Sequence, residues 1–244
     1  MAIYTFDSLD STNTYLNANA TAYGHGDVVA ARCQTAGRGQ RGNSWEAEPG
    51  KNLTFSMMLH PQHISATGQF VMSMLISLAI VDTLSALAPD ADISIKWPND
   101  IYAGDKKICG ILIENVITGA AITRCIAGVG INVNQHTFVS DAPNPVSLCM
   151  LTGRTHNLDA LLARVTDAIT AAIDGYRGDA AAVAVRYNAT LWRADGRLHG
   201  FVDTAQGVAF KAVITDVAVD GMLTLTDSAG IERRYAFKEV AFTL

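Results

Sequence analysis

A run of apolar residues from Phe70 to Ile80 constrains this chain most. Only Ser73 and Ser77 interrupt it, and it gives way at Asp82. Apolar residues recur at helical spacing from Thr67 to Leu87, and Pro89 stands just beyond, so the segment predicts a helix. The run is too short to cross a bilayer, which takes about 20 apolar residues. It is read as a core helix, and a fold must be found that buries it.

The surrounding segments supply the partners. Short apolar strands are expected at Ile3–Phe6, Val28–Cys33, Leu53–Leu59, Ile93–Trp97, Lys107–Ile117 and Ile122–Val133. Asp10-Ser11-Thr12-Asn13 is a helix-start signal, with a helix expected to run to about Tyr23. Leu158–Tyr176 reads as an amphipathic helix and Ala180–Leu191 as another. From Arg197 the pattern changes to short alternating stretches at Phe210–Thr215, Met222–Thr226 and Arg233–Phe237. Turns such as Asp220-Gly221 and Ala229-Gly230 separate them. That pattern predicts a small β-barrel. The expected fold class is α+β: a mixed-sheet domain over 1–195, then a small SH3-like β-barrel over 196–244.

Composition narrows the function classes. A chain of 244 residues with 49% hydrophobic and 17% charged residues can bury a substantial core without disulfide staples. The net charge of −5 offers no basic footprint for nucleic acid. Cys33, Cys109, Cys125 and Cys149 form no CxxC pair and read as reduced thiols, three of them in apolar runs. His60 and His63 lie close together, but no HExxH or third ligand accompanies them, so no metal ligand set is assigned. Met1-Ala2-Ile3-Tyr4 is no basic n-region, so no secretory signal is read, and the expected location is the cytoplasm, with no membrane contact.

Four segments could carry chemistry. The first is the loop Gln34-Thr35-Ala36-Gly37-Arg38-Gly39-Gln40-Arg41-Gly42-Asn43-Ser44-Trp45. Its three glycines let backbone N–H groups approach an anion, and two arginines add charge and planar donor forks. Trp45 could stack on a base. A flexible surface loop is the plain alternative. The spacing lacks the Gly-Lys-Ser/Thr of a P-loop, and the loop leads to a strand rather than a helix, unlike a dinucleotide site. The second is Lys96-Trp97-Pro98-Asn99-Asp100, which is also simply good turn chemistry. In the third, Lys107 opens an apolar strand that contains Gly110, and glycine inside a strand often marks close approach of a ligand or another backbone. In the fourth, Gly128-Val129-Gly130-Ile131-Asn132-Val133, two glycines fall late in a strand; a bulge is the alternative.

Together the four resemble the signature set of the biotin protein ligases. Gly-Arg-Gly-x-x-Gly-x-x-Trp, Lys-Trp-Pro-Asn-Asp, Lys-x-x-Gly-Ile-Leu-x-Glu and Gly-x-Gly-Ile-Asn-Val occur here in that family's order. The likeness runs from about Ser11 to the end, including Gly207, Asp220-Gly221, Gly230 and Glu239-Val240 in the C-terminal part. The resemblance implies a biotin/lipoyl ligase-like, class II synthetase-like catalytic domain. It implies ligation in two steps: biotin and ATP form biotinyl-5'-AMP, and a lysine of a biotin carboxyl carrier protein, or of such a domain in a biotin-dependent carboxylase, then accepts the biotin. ATP and Mg²⁺ are the implied cofactors, with biotin as substrate.

Residue by residue, the resemblance implies that Ser11, Thr12 and Asn13 begin the biotin site and that Gln34, Arg38, Gly39, Gln40 and Gly110 continue it. Lys107 would bridge the biotin carboxylate and the α-phosphate, and Lys107 and Arg38 would be the catalytic cations. Trp45 and Asn132 would hold adenine, and Asp100 would serve the nucleotide or Mg²⁺. Many members carry arginine where this chain has Gln40 and Asn43, so its loop holds fewer charges. Some members add an N-terminal DNA-binding domain; with Ser11 so near the start, the form without it is expected, as is no nucleic-acid partner. Some members dimerise by pairing sheet edges, which leaves a homodimer open. Lipoate–protein ligation and a non-catalytic binding protein on the same scaffold are the rival readings; the Gly-Arg-Gly and Lys-Trp-Pro-Asn-Asp motifs favour biotin over lipoate.

Overall fold

The fold was obtained as a computed structural model, which describes residues 1–40, 44–139 and 144–243. Seven strands form one mixed sheet: β1 (Ile3–Leu9), β2 (Val28–Gln34), β3 (Leu53–Leu59), β4 (Ile93–Lys96), β5 (Asp100–Ala103), β6 (Lys106–Thr118) and β7 (Ala121–Ile131). Their spatial order is β1-β2-β3-β7-β6-β5-β4. β1 and β2 run parallel, because a helix intervenes between them; every other pair is antiparallel.

The apolar helix covers one face of this sheet. α2 (Gln69–Ser85) follows a 3₁₀ turn at Ala66–Gly68, and its buried side chains point to nearly every side. It packs on the sheet, on α4 (Leu158–Gly175) and on α5 (Ala180–Ala189). With its 3₁₀ entry the segment Ala66–Ser85 reaches 20 residues, long and apolar enough to cross a membrane; 67% of that window is buried inside the fold, so burial rather than length marks it as a core helix.

Several boundaries differ from the sequence expectation. α1 (Thr12–Ala18) stops five residues before Tyr23, since the Asn19 side chain donates to the Tyr15 carbonyl at 2.8 Å and a 3₁₀ turn at Ala20–Ala22 takes over. β5 was hidden by turn chemistry on both sides: Pro98 and Asn99 make the turn, and Asp100 opens a strand of four residues paired with Lys96. α5 ends at Ala189, not Leu191, because the chain then runs along β4, with Ile95 N–H donating to Thr190 and Trp192 N–H to Ile95. A short α3 (Leu148–Thr152) was not foreseen.

The C-terminal part is an antiparallel five-stranded sheet of β8 (His199–Asp203), β9 (Val208–Val217), β10 (Leu223–Asp227), β11 (Glu232–Tyr235) and β12 (Val240–Phe242). β8 and β12 add to the three strands read from the sequence. This sheet is stapled to the first one. Trp97 Nε1 donates to the Gly221 carbonyl at 3.0 Å, and Asn188 accepts from Val217 N at 2.7 Å. The cysteines are free; Cys109, Cys125 and Cys149 are buried, and burial holds the Cys125 thiol up at about 12.

Gly221 fixes the staple. Its φ is +88°, and a Cβ there would lie 2.7 Å from the Phe70 ring. Gly221→Ala therefore combines left-handed strain with overpacking and should cost about 2–4 kcal/mol. Thermal unfolding checks this; an unchanged melting temperature would mean that the contact of the C-terminal sheet with α2 is soft.

Candidate active site

A cleft of about 400 Å³ opens between the two sheets, within the range that ligand sites occupy. Its inner wall is polar and tightly bonded. Ser11 caps α1, its Oγ accepting from Thr14 N at 3.5 Å. Gln34 Oε1 accepts from Thr12 N at 2.8 Å and from Thr12 Oγ1 at 3.2 Å. Asn13 Nδ2 donates to Glu114 Oε2 at 3.0 Å, while Ser56 Oγ donates to Asn13 Oδ1. Ser11, Thr12 and Asn13 are thus buried and held in one orientation at the cleft.

Two ion pairs stand beside this wall. Arg38 reaches Glu114 at 3.0 Å and Lys107 reaches Asp100 at 2.7 Å. Asp100 is set by the β4–β5 turn, which Asn99 pins by donating to the Ile111 carbonyl at 2.8 Å. Lys107 is fixed through its backbone, which bonds Asn144 and Val146. Two cations and two carboxylates therefore meet at one cleft, each cation oriented and each charge balanced.

Lys96 is a further cation, enclosed by aromatic rings. Its Nζ donates to Tyr102 OH at 3.0 Å and lies 5.4 Å from the ring centroids of both Trp192 and Phe242. Burial pushes its ammonium below the usual lysine range, although Asp100 opposes the shift.

The glycines have a geometric purpose. Gly110 and Gly130 are direct cross-strand partners on β6 and β7. A Cβ on Gly110 would lie 2.9 Å from the Trp45 ring, and one on Gly130 2.3 Å from it. The two make a bare floor against which the Trp45 indole lies, close enough to exclude any side chain. Gly128 does the same for Asn13, whose Oδ1 would be 2.0 Å from an added Cβ. The Gly-x-Gly of β7 is therefore a close-approach surface; β6 and β7 pair in continuous register across it, so the bulge alternative falls away. The described ends of the loop meet, Trp45 N–H donating to the Gly37 carbonyl at 2.9 Å. Trp45 Nε1 is buried there with no partner.

Of the residues singled out in the sequence, Ser11, Thr12, Asn13, Gln34, Arg38, Gly39, Gln40, Trp45, Asp100, Lys107 and Gly110 line this one cleft. Asn132 does not. It is buried below the wall, with Nδ2 donating to the Val146 carbonyl at 3.1 Å and the Lys107 carbonyl at 3.5 Å. Its amide donors tie β7 to the neighbouring backbone rather than facing a base. Asn43, with Arg41 and Gly42, lies outside the described residues.

Comparison with known proteins agrees with this geometry. The profile of the biotin/lipoate A/B protein ligase family matches residues 5–132, just over half of the chain and all of the cleft's first wall. The chain belongs to that family. Among curated relatives, the bifunctional ligase/repressor BirA of Salmonella typhimurium is 28% identical over 225 residues, covering 91% of this chain but 66% of its own length. The biotin–[acetyl-CoA-carboxylase] ligase of Mycobacterium tuberculosis is 29% identical over 88% of this chain and 79% of its own. The biotin protein ligase of Aquifex aeolicus, solved with biotin and ATP, shares the fold with a TM-score of 0.81 over 99% of this chain and 98% of its own, at 20% identity.

Membership in this ligase family gives the missed residues a context. Ser56, a polar residue inside the apolar strand Leu53–Leu59, is fully buried and bonds Asn13. Glu114, the last residue of the Lys-x-x-Gly-Ile-Leu-x-Glu motif, receives both Arg38 and Asn13. If the glycine floor is what seats Trp45, Gly130→Ala should expel the indole while the sheet stays intact. Trp97 and Trp192 are buried by contacts that do not involve the glycine floor, so a red-shifted tryptophan emission with unchanged far-UV dichroism would report Trp45 leaving; an unshifted spectrum would show that the floor yields instead.

Proposed function

We propose that this chain is an ATP-dependent biotin–protein ligase. The observation that carries the reading is the meeting, in one cleft, of a rigid polar wall at Ser11–Asn13 with two oriented cations, Arg38 and Lys107. A neutral, hydrogen-bonding ring such as the ureido group of biotin suits the wall. A carboxylate and a phosphate suit the cations.

In the first step an oxygen of the biotin carboxylate attacks the α-phosphorus of ATP. The bond to the β-phosphate breaks, and pyrophosphate leaves with its electron pair. Lys107 stands where it can bridge carboxylate and α-phosphate once it exchanges Asp100 for them, and Arg38 can leave Glu114 in the same way. Both cations are already in place before the charge develops, so little reorganisation is needed at the barrier. Phosphoryl chemistry of this kind depends mainly on position and charge. In the second step the ε-amine of a carrier lysine attacks the acyl carbon of biotinyl-5'-AMP, an amide forms, and AMP departs. In this reading adenine stacks on the Trp45 indole, and exclusion of water from the cleft protects the mixed anhydride.

The residues fit Mg²⁺ as a companion of the nucleotide. Mg²⁺ is held by one or two carboxylates together with phosphate oxygens and water, and Asp100 offers one carboxylate at the cleft. Among the described residues no cluster of three His, Cys, Asp or Glu side chains would hold a metal by itself. Bound there, the ion would neutralise triphosphate charge. The acceptor is a carrier domain of a biotin-dependent carboxylase, met in the cytoplasm. In this reading residues 1–195 are the catalytic domain and 196–244 the C-terminal β-domain; the left-handed turn at Gly196, φ +75°, supports a division there.

Biotin-dependent exchange of pyrophosphate into ATP, with lipoate in parallel, tests the substrate, and transfer to an apo-carrier domain tests the second step. Exchange with lipoate alone would overturn the reading. Within it, Lys107→Ala should lower exchange by about 30- to 1,000-fold, the equivalent of about 2–4 kcal/mol of lost charge stabilisation. Near-normal exchange in the folded variant would remove Lys107 from the catalytic role.

A further inference from the structure

Four cationic side chains line the cleft among the described residues: Arg38, Lys96, Lys107 and Lys238. Arg38 and Lys107 are balanced by Glu114 and Asp100. Lys96 is turned into its box of rings. Lys238, in the turn between β11 and β12, forms no ion pair among the described residues; its ammonium lies 5.9 Å from the centroid of the adjoining Phe237 ring.

Lys238 also sits in a backbone conformation that a lysine rarely takes. Its φ is +74°, in the left-handed region that favours glycine. The turn around it is clamped from three sides. Glu239 N–H donates to the Ala236 carbonyl, Ala236 N–H donates to the Glu239 carboxylate at 2.7 Å, and Thr204 Oγ1 donates to the Lys238 carbonyl at 2.6 Å. A residue stays strained when its surroundings over-determine it, and such positions gather at ligand sites. The Glu239 carboxylate, the nearest acid in sequence, is turned to the Ala236 N–H and forms no ion pair with Lys238.

We propose that Lys238 is a cation of the C-terminal sheet that holds the β,γ end of the triphosphate and the pyrophosphate it becomes. The inference rests on the nucleotide reading of the cleft. Its logic is one of charge: the two paired cations can serve a carboxylate and an α-phosphate, whereas leaving pyrophosphate carries two to three further negative charges that need a counter-charge of their own. Lys238 supplies it from the opposite wall, which makes the C-terminal sheet part of the leaving-group site.

The test separates charge from strain. Lys238→Gln removes the charge and keeps the strained backbone; Lys238→Gly removes both; Lys238→Arg keeps the charge. Calorimetry with inorganic pyrophosphate, with AMP alongside, should show pyrophosphate binding weakened about tenfold in Lys238→Gln and Lys238→Gly, retained in Lys238→Arg, and AMP binding unchanged throughout. Lys238→Gly should also melt about 2–4 °C higher, since glycine accepts the left-handed turn without strain. Pyrophosphate affinities equal to wild type in both neutral variants would overturn the proposal, as would an equal loss for AMP. Wild-type chain that binds neither pyrophosphate nor AMP would instead overturn the nucleotide reading itself.

Discussion

The pairing of β6 with β7 across Gly110 and Gly130 is the constraint on which the site depends. A sheet normally presents a side chain at every second residue of a strand. Two glycines facing one another across the ladder open a bare patch the width of an aromatic ring, and Trp45 fills it. Gly128, two residues earlier, clears a second patch for Asn13. The Gln34–Trp45 loop and the start of α1 are therefore both anchored on the same stretch of backbone. Strands otherwise weaken when they carry glycine. Here the apolar cover of α2 and the long β6–β7 ladder offset that loss.

Charge in the cleft follows a similar economy of position. A lone guanidinium or ammonium held ready for a phosphate would repel its neighbours and lose hydration. Pairing Arg38 with Glu114 and Lys107 with Asp100 gives each cation a fixed place at little net cost, because all four side chains keep partial contact with water. An arriving anion then exchanges partners instead of ordering a free side chain. Glu114 also accepts from Asn13, so the polar wall does not depend on the Arg38 pair alone.

Much of this was legible in the sequence, and the reason lies in which signals are local. The core helix announced itself through apolar periodicity, and the helix cap at Ser11 through residue type. Gly110 is read from the sequence as marking close approach of a ligand or another backbone; what lies against it is the Trp45 ring. What escaped notice was tertiary. β5 is four residues long and lies between two turns, so no pattern of alternation could develop. Asn132 carries an amide that looks fit for a base edge, but packing turns it onto the carbonyls of Lys107 and Val146. Ser56 and Glu114 gain meaning only from partners more than 40 residues away. Lys238 looks like any surface lysine until its φ is known.

The change in pattern near Gly196 marks a boundary in sequence but not one in the cleft. Lys96 on β4 is boxed by Tyr102 on β5, by Trp192 from the segment that follows α5, and by Phe242 on β12. Three stretches far apart in the chain thus converge on one ammonium group. Trp97, the next residue, donates to Gly221 and packs against Phe237. Burial of Lys96 disfavours its charge, and the ring faces return part of what hydration loses. The cage is closed on its third side by the C-terminal sheet, through Phe242. The β4–β5 turn that carries Asp100 is therefore held in part by residues near the end of the chain, through Trp97 bonded to Gly221 and packed on Phe237.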